Sequence, residues 1–128
     1  MTPARILAVD DEPDFELLIT QRFRRQIRAE EFAFSFARHG EEALSVLEAE
    51  PDIELMLLDI NMPVMDGLAL LREIKGRRPE LPVMMVTAYG DDERRRWASE
   101  YGAADFLAKP VDFDHLKSRL RDLLPSAG

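Results

Sequence analysis

Short apolar runs alternate along this chain with longer amphipathic stretches, and the two periods predict different elements. Apolar residues are nearly continuous over Arg5 to Val9, Leu55 to Asp59, Val83 to Thr87 and Ala104 to Leu107, as in parallel strands covered by helices on both faces. From Phe32 to Ala37 the pattern differs: Phe32, Phe34 and Phe36 alternate with smaller residues, which predicts a half-exposed strand at a sheet edge. Between these runs Phe15, Leu18, Ile19, Phe23 and Ile27 recur at helical spacing, and Phe113, Leu116, Leu120 and Leu123 do so near the end. Ala43, Leu44 and Leu47 mark a second helix, and Leu68, Leu71 and Ile74 a third, with Gly76 as its expected C-cap. A fourth, Asp91 to about Tyr101, carries Asp91, Asp92 and Glu93 where the helix dipole favours acids, but its apolar stripe is thin: Trp97, Ala98 and Tyr101. Strands alternating with helices in this way predict an α/β fold of stacked βα units, with a parallel, doubly wound sheet of five strands and five helices.

The 128 residues suit a single domain spanning 1–128, large enough to bury a core without staples. No cysteine is present, so disulfides, thiol nucleophiles and thiolate metal sites are excluded and a reducing, cytoplasmic setting is expected. The longest apolar runs, such as Leu81 to Val86, fall far short of the roughly 20 residues that span a bilayer, so no membrane segment is expected. A net charge of −8 argues against broad nucleic-acid binding and favours cations over polyanions as ligands. No helix-turn-helix follows Leu124, so direct DNA binding is not expected of this chain, and Pro125 to Gly128 reads as a frayed end or the start of a linker.

Ligands of doubly wound sheets bind outside the carboxyl ends of the strands, where strand order reverses. Here the first strand runs into Asp10-Asp11-Glu12, the third ends in Asp59, the fourth in Thr87, and the fifth leads to Lys109-Pro110. Three clustered acids repel one another unless a cation offsets them, and a hard divalent ion such as magnesium takes oxygen ligands from one or two carboxylates plus phosphate. Such a rim suits phosphoryl transfer, with Asp59 as nucleophile and Lys109 and Thr87 binding phosphoryl oxygens.

At these residues the sequence resembles the receiver domain of two-component response regulators, over essentially the whole chain. The resemblance rests on Val9-Asp10-Asp11-Glu12-Pro13, on Leu57-Leu58-Asp59-Ile60-Asn61-Met62-Pro63-Val64-Met65-Asp66-Gly67, on Thr87-Ala88 and on Lys109-Pro110. It implies a flavodoxin-like sheet of order 2-1-3-4-5, with Asp59 as phosphoacceptor and a Mg2+ ion held by Asp10, Asp11 and Asp59. Asn61 would add a backbone carbonyl to that ion, Thr87 and Lys109 would bind the phosphoryl group, and the Lys109-Pro110 bond would be cis. In the family an aromatic at the position of Phe106 turns inward as the threonine hydroxyl moves; Phe106 lacks the usual tyrosine hydroxyl and keeps only the steric part of that coupling. Tyr89, two residues after Thr87, stands where a side chain can gate water. The implied partners are a histidine kinase or phosphotransfer protein carrying phosphohistidine, and an unspecified downstream output domain or protein reading the face of Trp97, Tyr101 and Phe106. Phosphorylation-dependent dimers would form through the fourth helix, fifth strand and fifth helix. The protein is then a switch that takes part in its own phosphorylation and slow dephosphorylation, rather than an enzyme.

Each residue also has a plainer reading. Asp10 and Asp11 could cap the following helix, Asp59 could open a turn, and Thr87 suits a strand end by its branching alone. It is their placement on one rim that favours chemistry. The alternatives are an Asp-nucleophile phosphatase, for which the chain offers Asn61 instead of a second acid and no length for a cap, a receiver-like scaffold that is not phosphorylated, and a flavin carrier, whose phosphate these acids would repel. Arg22, Arg24, Arg25 and Arg28, and the run Arg94 to Arg96, read as solvated faces balanced by Glu30-Glu31 and by Asp91 to Glu93. His39 and His115 read as surface or cap residues.

Overall fold

The computed structural model describes residues 2–59, 67–87 and 92–124, with Thr87 and Arg94 described by their backbone. Side chains of successive strand residues point to opposite faces, and the sequence uses this to build two cores. In β1 (Ala4–Val9), Ala4, Ile6 and Ala8 enter one cluster while Leu7 and Val9 enter the other. In β3 (Ile53–Asp59), Met56 and Leu58 join Leu7 and Val9, and Leu55 and Leu57 join Ile6 and Ala8. Ile53 and Leu55 would share a face in a regular strand, yet they lie in different clusters. The register explains it: Arg5 pairs with Ile53 and Ile6 with Leu55, so Glu54 is an extra residue that turns the strand over.

All neighbouring strands are parallel, in the order β2-β1-β3-β4-β5, where β2 is Phe32–Ala37, β4 is Val83–Thr87 and β5 is Asp105–Ala108. This is the expected sheet, with β2 at an edge. One face is covered by α3 (Gly40–Ala49), α4 (Gly67–Arg77) and α5 (Asp92–Glu100), which bury Ala43 and Leu47, then Leu70, Leu71 and Ile74, then Ala98. The other is covered by α1 (Pro13–Arg22) and α6 (Phe113–Leu123) through Phe15, Ile19, Leu116 and Leu120. Phe23 fills the space between them, with ring centroids 5.4 Å from Phe34, 5.9 Å from Phe32 and 6.2 Å from Phe113.

Three expectations need correction. Six helices are found among the described residues rather than five, because the first predicted helix breaks at Phe23 (φ −105°, ψ 17°) into α1 and a short α2 (Arg24–Arg28) that buries no side chain. Of its five apolar positions, Phe15, Ile19 and Phe23, four apart, are buried; Leu18 and Ile27 are more than a third exposed, since the covered stripe is narrower than the spacing allows. Gly76 does not end α4, which runs on to Arg77; Lys75 closes that end instead, its Nζ 2.6 Å from the Leu81 carbonyl oxygen. None of the described helices is long and apolar enough to cross a membrane.

Candidate functional site

The chain leaves β1 for β2 on one side and returns to place β3 on the other, so strand order reverses between β1 and β3. Their carboxyl ends carry Asp10, directly after β1, and Asp59, the last residue of β3. Both acids are almost fully buried, at 7% and 4% exposure. The backbone fixes Asp10: its N–H donates to the Ala37 carbonyl at 3.1 Å, and its Oδ1 accepts the Glu12 N–H at 2.9 Å, leading the chain into Pro13 and α1.

From the far side of the sheet, Lys109 follows β5 through a cis bond to Pro110, the isomer that the resemblance implies. Its Nζ reaches Asp10 Oδ2 at 3.2 Å, Asp59 Oδ2 at 3.4 Å and Glu12 Oε1 at 3.5 Å. Burial lowers the pKa of Lys109, but Asp59, Asp10 and Glu12 together outweigh it and hold the ammonium above its ordinary value. Asp10 moves upward too: burial is the chief cause, helped by the charge of Asp59 and opposed by the Glu12 amide and by Lys109. Among the described residues one cation thus faces three carboxylates, and Asp10 stays easier to protonate than an ordinary aspartate.

Asp10, Asp11 and Glu12 each bring a carboxylate oxygen within 4.8 Å of the others, a hard-oxygen set of the kind that magnesium takes. Asp11 is exposed beside the buried Asp10. Thr87 is placed by its backbone at the end of β4, paired in register with Ala108, the residue before Lys109. Asn61 and Tyr89 lie outside the described residues. So Asp10, Asp11, Asp59 and Lys109 converge, with the backbone of Thr87 on the adjoining strand.

Phe106 sits back from this rim, in register with Met85 and half-buried. The Arg95 guanidinium of α5 lies over its ring, 5.1 Å from the centroid. Its N–H donates to Asp105 Oδ1 at 2.8 Å, and the other oxygen of Asp105 accepts from Arg119 Nε of α6. Neighbouring Tyr101 carries Arg72 at 5.2 Å and Trp97, itself 45% exposed, at 6.0 Å.

Two residues of this region are not singled out by the sequence. Glu12 stands beside two acids that look like metal ligands, and only the fold shows that it reaches Lys109; the signal was its position in the same strand-end cluster. Arg95 reads as one of three solvated arginines, and nothing in the sequence pairs it with Phe106. The balance expected at Glu31 is also different: Glu31 is held by Arg121, at 2.7 and 2.8 Å, while Arg22 lies over the Phe113 ring. His39 is a cap, its Nδ1 accepting the Glu42 N–H at the start of α3.

Known proteins share this fold and a substantial part of its sequence. Residues 6–121 match the family described as response regulator receiver domain. The chain is 40% identical over 127 residues to response regulator protein PilR of Pseudomonas aeruginosa, which covers 99% of this chain and 26% of that protein. It is 36% identical over 119 residues to transcriptional regulatory protein ZraR of Escherichia coli, covering 93% of this chain and again 26% of the relative. It therefore spans about a quarter of the length of these two curated relatives. Among solved structures, the receiver domain of NtrX from Brucella abortus superposes with a TM-score of 0.83 at 35% identity, covering 94% of this chain and 98% of that one.

Proposed function

The chain belongs to the response regulator receiver domain family of two-component systems, and from that membership we propose that Asp59 accepts a phosphoryl group from a phosphohistidine on a partner histidine kinase or phosphotransfer protein. Phosphorylation and magnesium are characteristic of this family, whose members are phosphorylatable switches rather than enzymes in the usual sense. The observation that carries the reading for this chain is the triangle of Asp59, Asp10 and Lys109 at the sheet's reversal point, with Lys109 Nζ 3.4 Å from the proposed nucleophile.

In the transfer, an oxygen of Asp59 forms the new O–P bond as the P–N bond to the donor imidazole breaks. The bonding pair returns to the ring nitrogen, and the proton on the other ring nitrogen leaves the imidazole neutral. Lys109, already within reach of Asp59, takes a phosphoryl oxygen as a charged donor, and the Thr87 hydroxyl supplies a second contact. Asp10, Asp11 and Asp59, with the Asn61 carbonyl, would hold magnesium, and the upward shift of Asp10 fits that assignment because one ammonium leaves the cluster short of positive charge. Bound there, the ion would neutralise charge on the phosphoryl oxygens.

The charge added at Asp59 biases a two-state equilibrium of α5 and β5, with Phe106 following Thr87. A differential interaction of about 3 kcal/mol shifts such an equilibrium roughly a hundredfold, which an ion pair and one hydroxyl contact can supply. The output partner, or a second phosphorylated copy, then reads the face of α5, β5 and α6. Intact-mass analysis after incubation with acetyl phosphate tests the reading: one magnesium-dependent phosphoryl adduct is expected, absent in Asp59→Asn. A folded wild-type protein that takes no adduct overturns it.

A further inference from the structure

Among the described carboxylates paired with Lys109, Glu12 is the exposed one: its side chain is 65% exposed, against 3% for Asp10 and 5% for Asp59. It also lines, with Lys109, Phe15, Leu18 and Val111, a cleft of about 510 Å³ between α1 and the start of α6. The ammonium that is to receive the phosphoryl group thus has two carboxylates behind it, at the ends of β1 and β3, and a third at the open side where the cleft meets solvent. A phosphodonor approaching from this side meets the Glu12 carboxylate before Lys109, and its own negative charge decides how strongly it is repelled.

We propose that Glu12 sets the charge preference of the site for its donor, screening Lys109 against small dianionic phosphate compounds while admitting donors of lower net charge. The inference rests on Asp59 being the phosphoacceptor. Glu12 acts through Lys109 and through the field at the mouth of the site. Its exposed side chain is held to Lys109 by an ion pair at 3.5 Å, so it turns aside for a phosphohistidine presented by a docked protein, whose contacts offset that displacement.

The test compares wild type with Glu12→Gln and Glu12→Lys, in magnesium, using acetyl phosphate as a dianionic donor and phosphoramidate as one of lower net charge. Near a surface, removing one charge several Å from a dianion is expected to quicken phosphorylation by acetyl phosphate about threefold to tenfold. Glu12→Lys should quicken it further. The gain should be smaller with phosphoramidate and should shrink as salt is raised from 0.05 to 0.5 M, limits chosen to span about 14 to 4 Å of screening length. All rates are compared at saturating magnesium, because the charge lost in Glu12→Gln sits within 4.8 Å of the carboxylate oxygens of Asp10 and Asp11 and weakens cation binding too. An unchanged or slower rate with acetyl phosphate overturns the proposal, as does a gain equal for both donors. A gain that disappears at saturating magnesium also overturns it, because the effect then runs through the metal and not through the charge of the donor. Should wild type take no phosphoryl group at all, the acceptor assignment itself fails, which is distinguishable from wild type and variants reacting alike.

Discussion

The Nζ of Lys109, just after the edge strand β5, lies 3.2 Å from Oδ2 of Asp10, just after β1, so it reaches past the ends of β4 and β3. This ion pair is unequal to the charge around it, for Asp10 remains shifted upward by burial and by Asp59 despite the ammonium. A carboxyl group raised in the folded state contributes most below its ordinary value of 3.8 and loses that contribution as pH rises through the folded value. Lys109, also raised, keeps its contribution until pH climbs past its ordinary 10.5 and so stays constant between pH 3 and 8, a window that about two units or more separate from that value.

Asp10→Asn should therefore stabilise the metal-free protein at pH 7, by about 1 kcal/mol, the scale usual for a single site. The advantage should shrink toward pH 3.5 (roughly the ordinary range of an aspartate), where wild-type Asp10 is protonated as well. Urea unfolding of both proteins across this range checks the sign. A variant less stable than wild type at pH 7 means that the Lys109 contact outweighs the strain of three clustered acids.

Magnesium should stabilise the fold by mass action if Asp10, Asp11 and Asp59 hold it. At a free concentration one hundred times Kd the gain is about 2.7 kcal/mol. Asp11 is exposed, so Asp11→Ala should leave metal-free stability within roughly 0.5 kcal/mol yet remove most of the magnesium response. Thermal unfolding in MgCl2 against NaCl of equal ionic strength separates the two effects. An equal rise in Tm for wild type and Asp11→Ala would show that Asp11 is no ligand.

The Arg95 guanidinium lies over the Phe106 ring, and it should restrain that ring if Phe106 turns as the proposed switch requires. An exposed cation–π contact is worth about 0.5–1 kcal/mol, so Arg95→Ala should favour the turned-in ring roughly twofold to fivefold. Carbon-13 signals of labelled Phe106 during phosphorylation with acetyl phosphate report this directly. Matching signals in wild type and variant, before and after phosphorylation, would mean that the contact does not restrain the ring.

Most of the sheet is legible in the sequence because covered parallel strands leave few polar residues inside them. Leu55 to Leu58 and Val83 to Val86 are all buried, and the alternation of Phe32, Phe34 and Phe36 marks the edge correctly. The turned residue Glu54 is not legible, since Ile53 and Leu55 look like same-face neighbours until the pairing with β1 is seen. Nor is the break at Phe23, where no glycine or proline announces it and the phenylalanine serves the core on either side. At the site, Asp10, Asp59 and Lys109 are recoverable from their places at strand ends. Which groups Lys109 shares is a matter of reach, 97 residues from Glu12 by subtraction of their positions, and only the closed sheet shows it.

β3 has a neighbour on each side, β1 and β4, whereas β5 ends the sheet and pairs with β4 over four positions. Local opening is cheapest at such an edge and dearest in the middle. Asp59 therefore rides on backbone that opens last, and Phe106 on backbone that opens among the first. Under the proposed function, a message written at the centre can be delivered by fraying at the margin, so the proposed readout face can loosen and re-form many times while the surroundings of Asp59 stay closed.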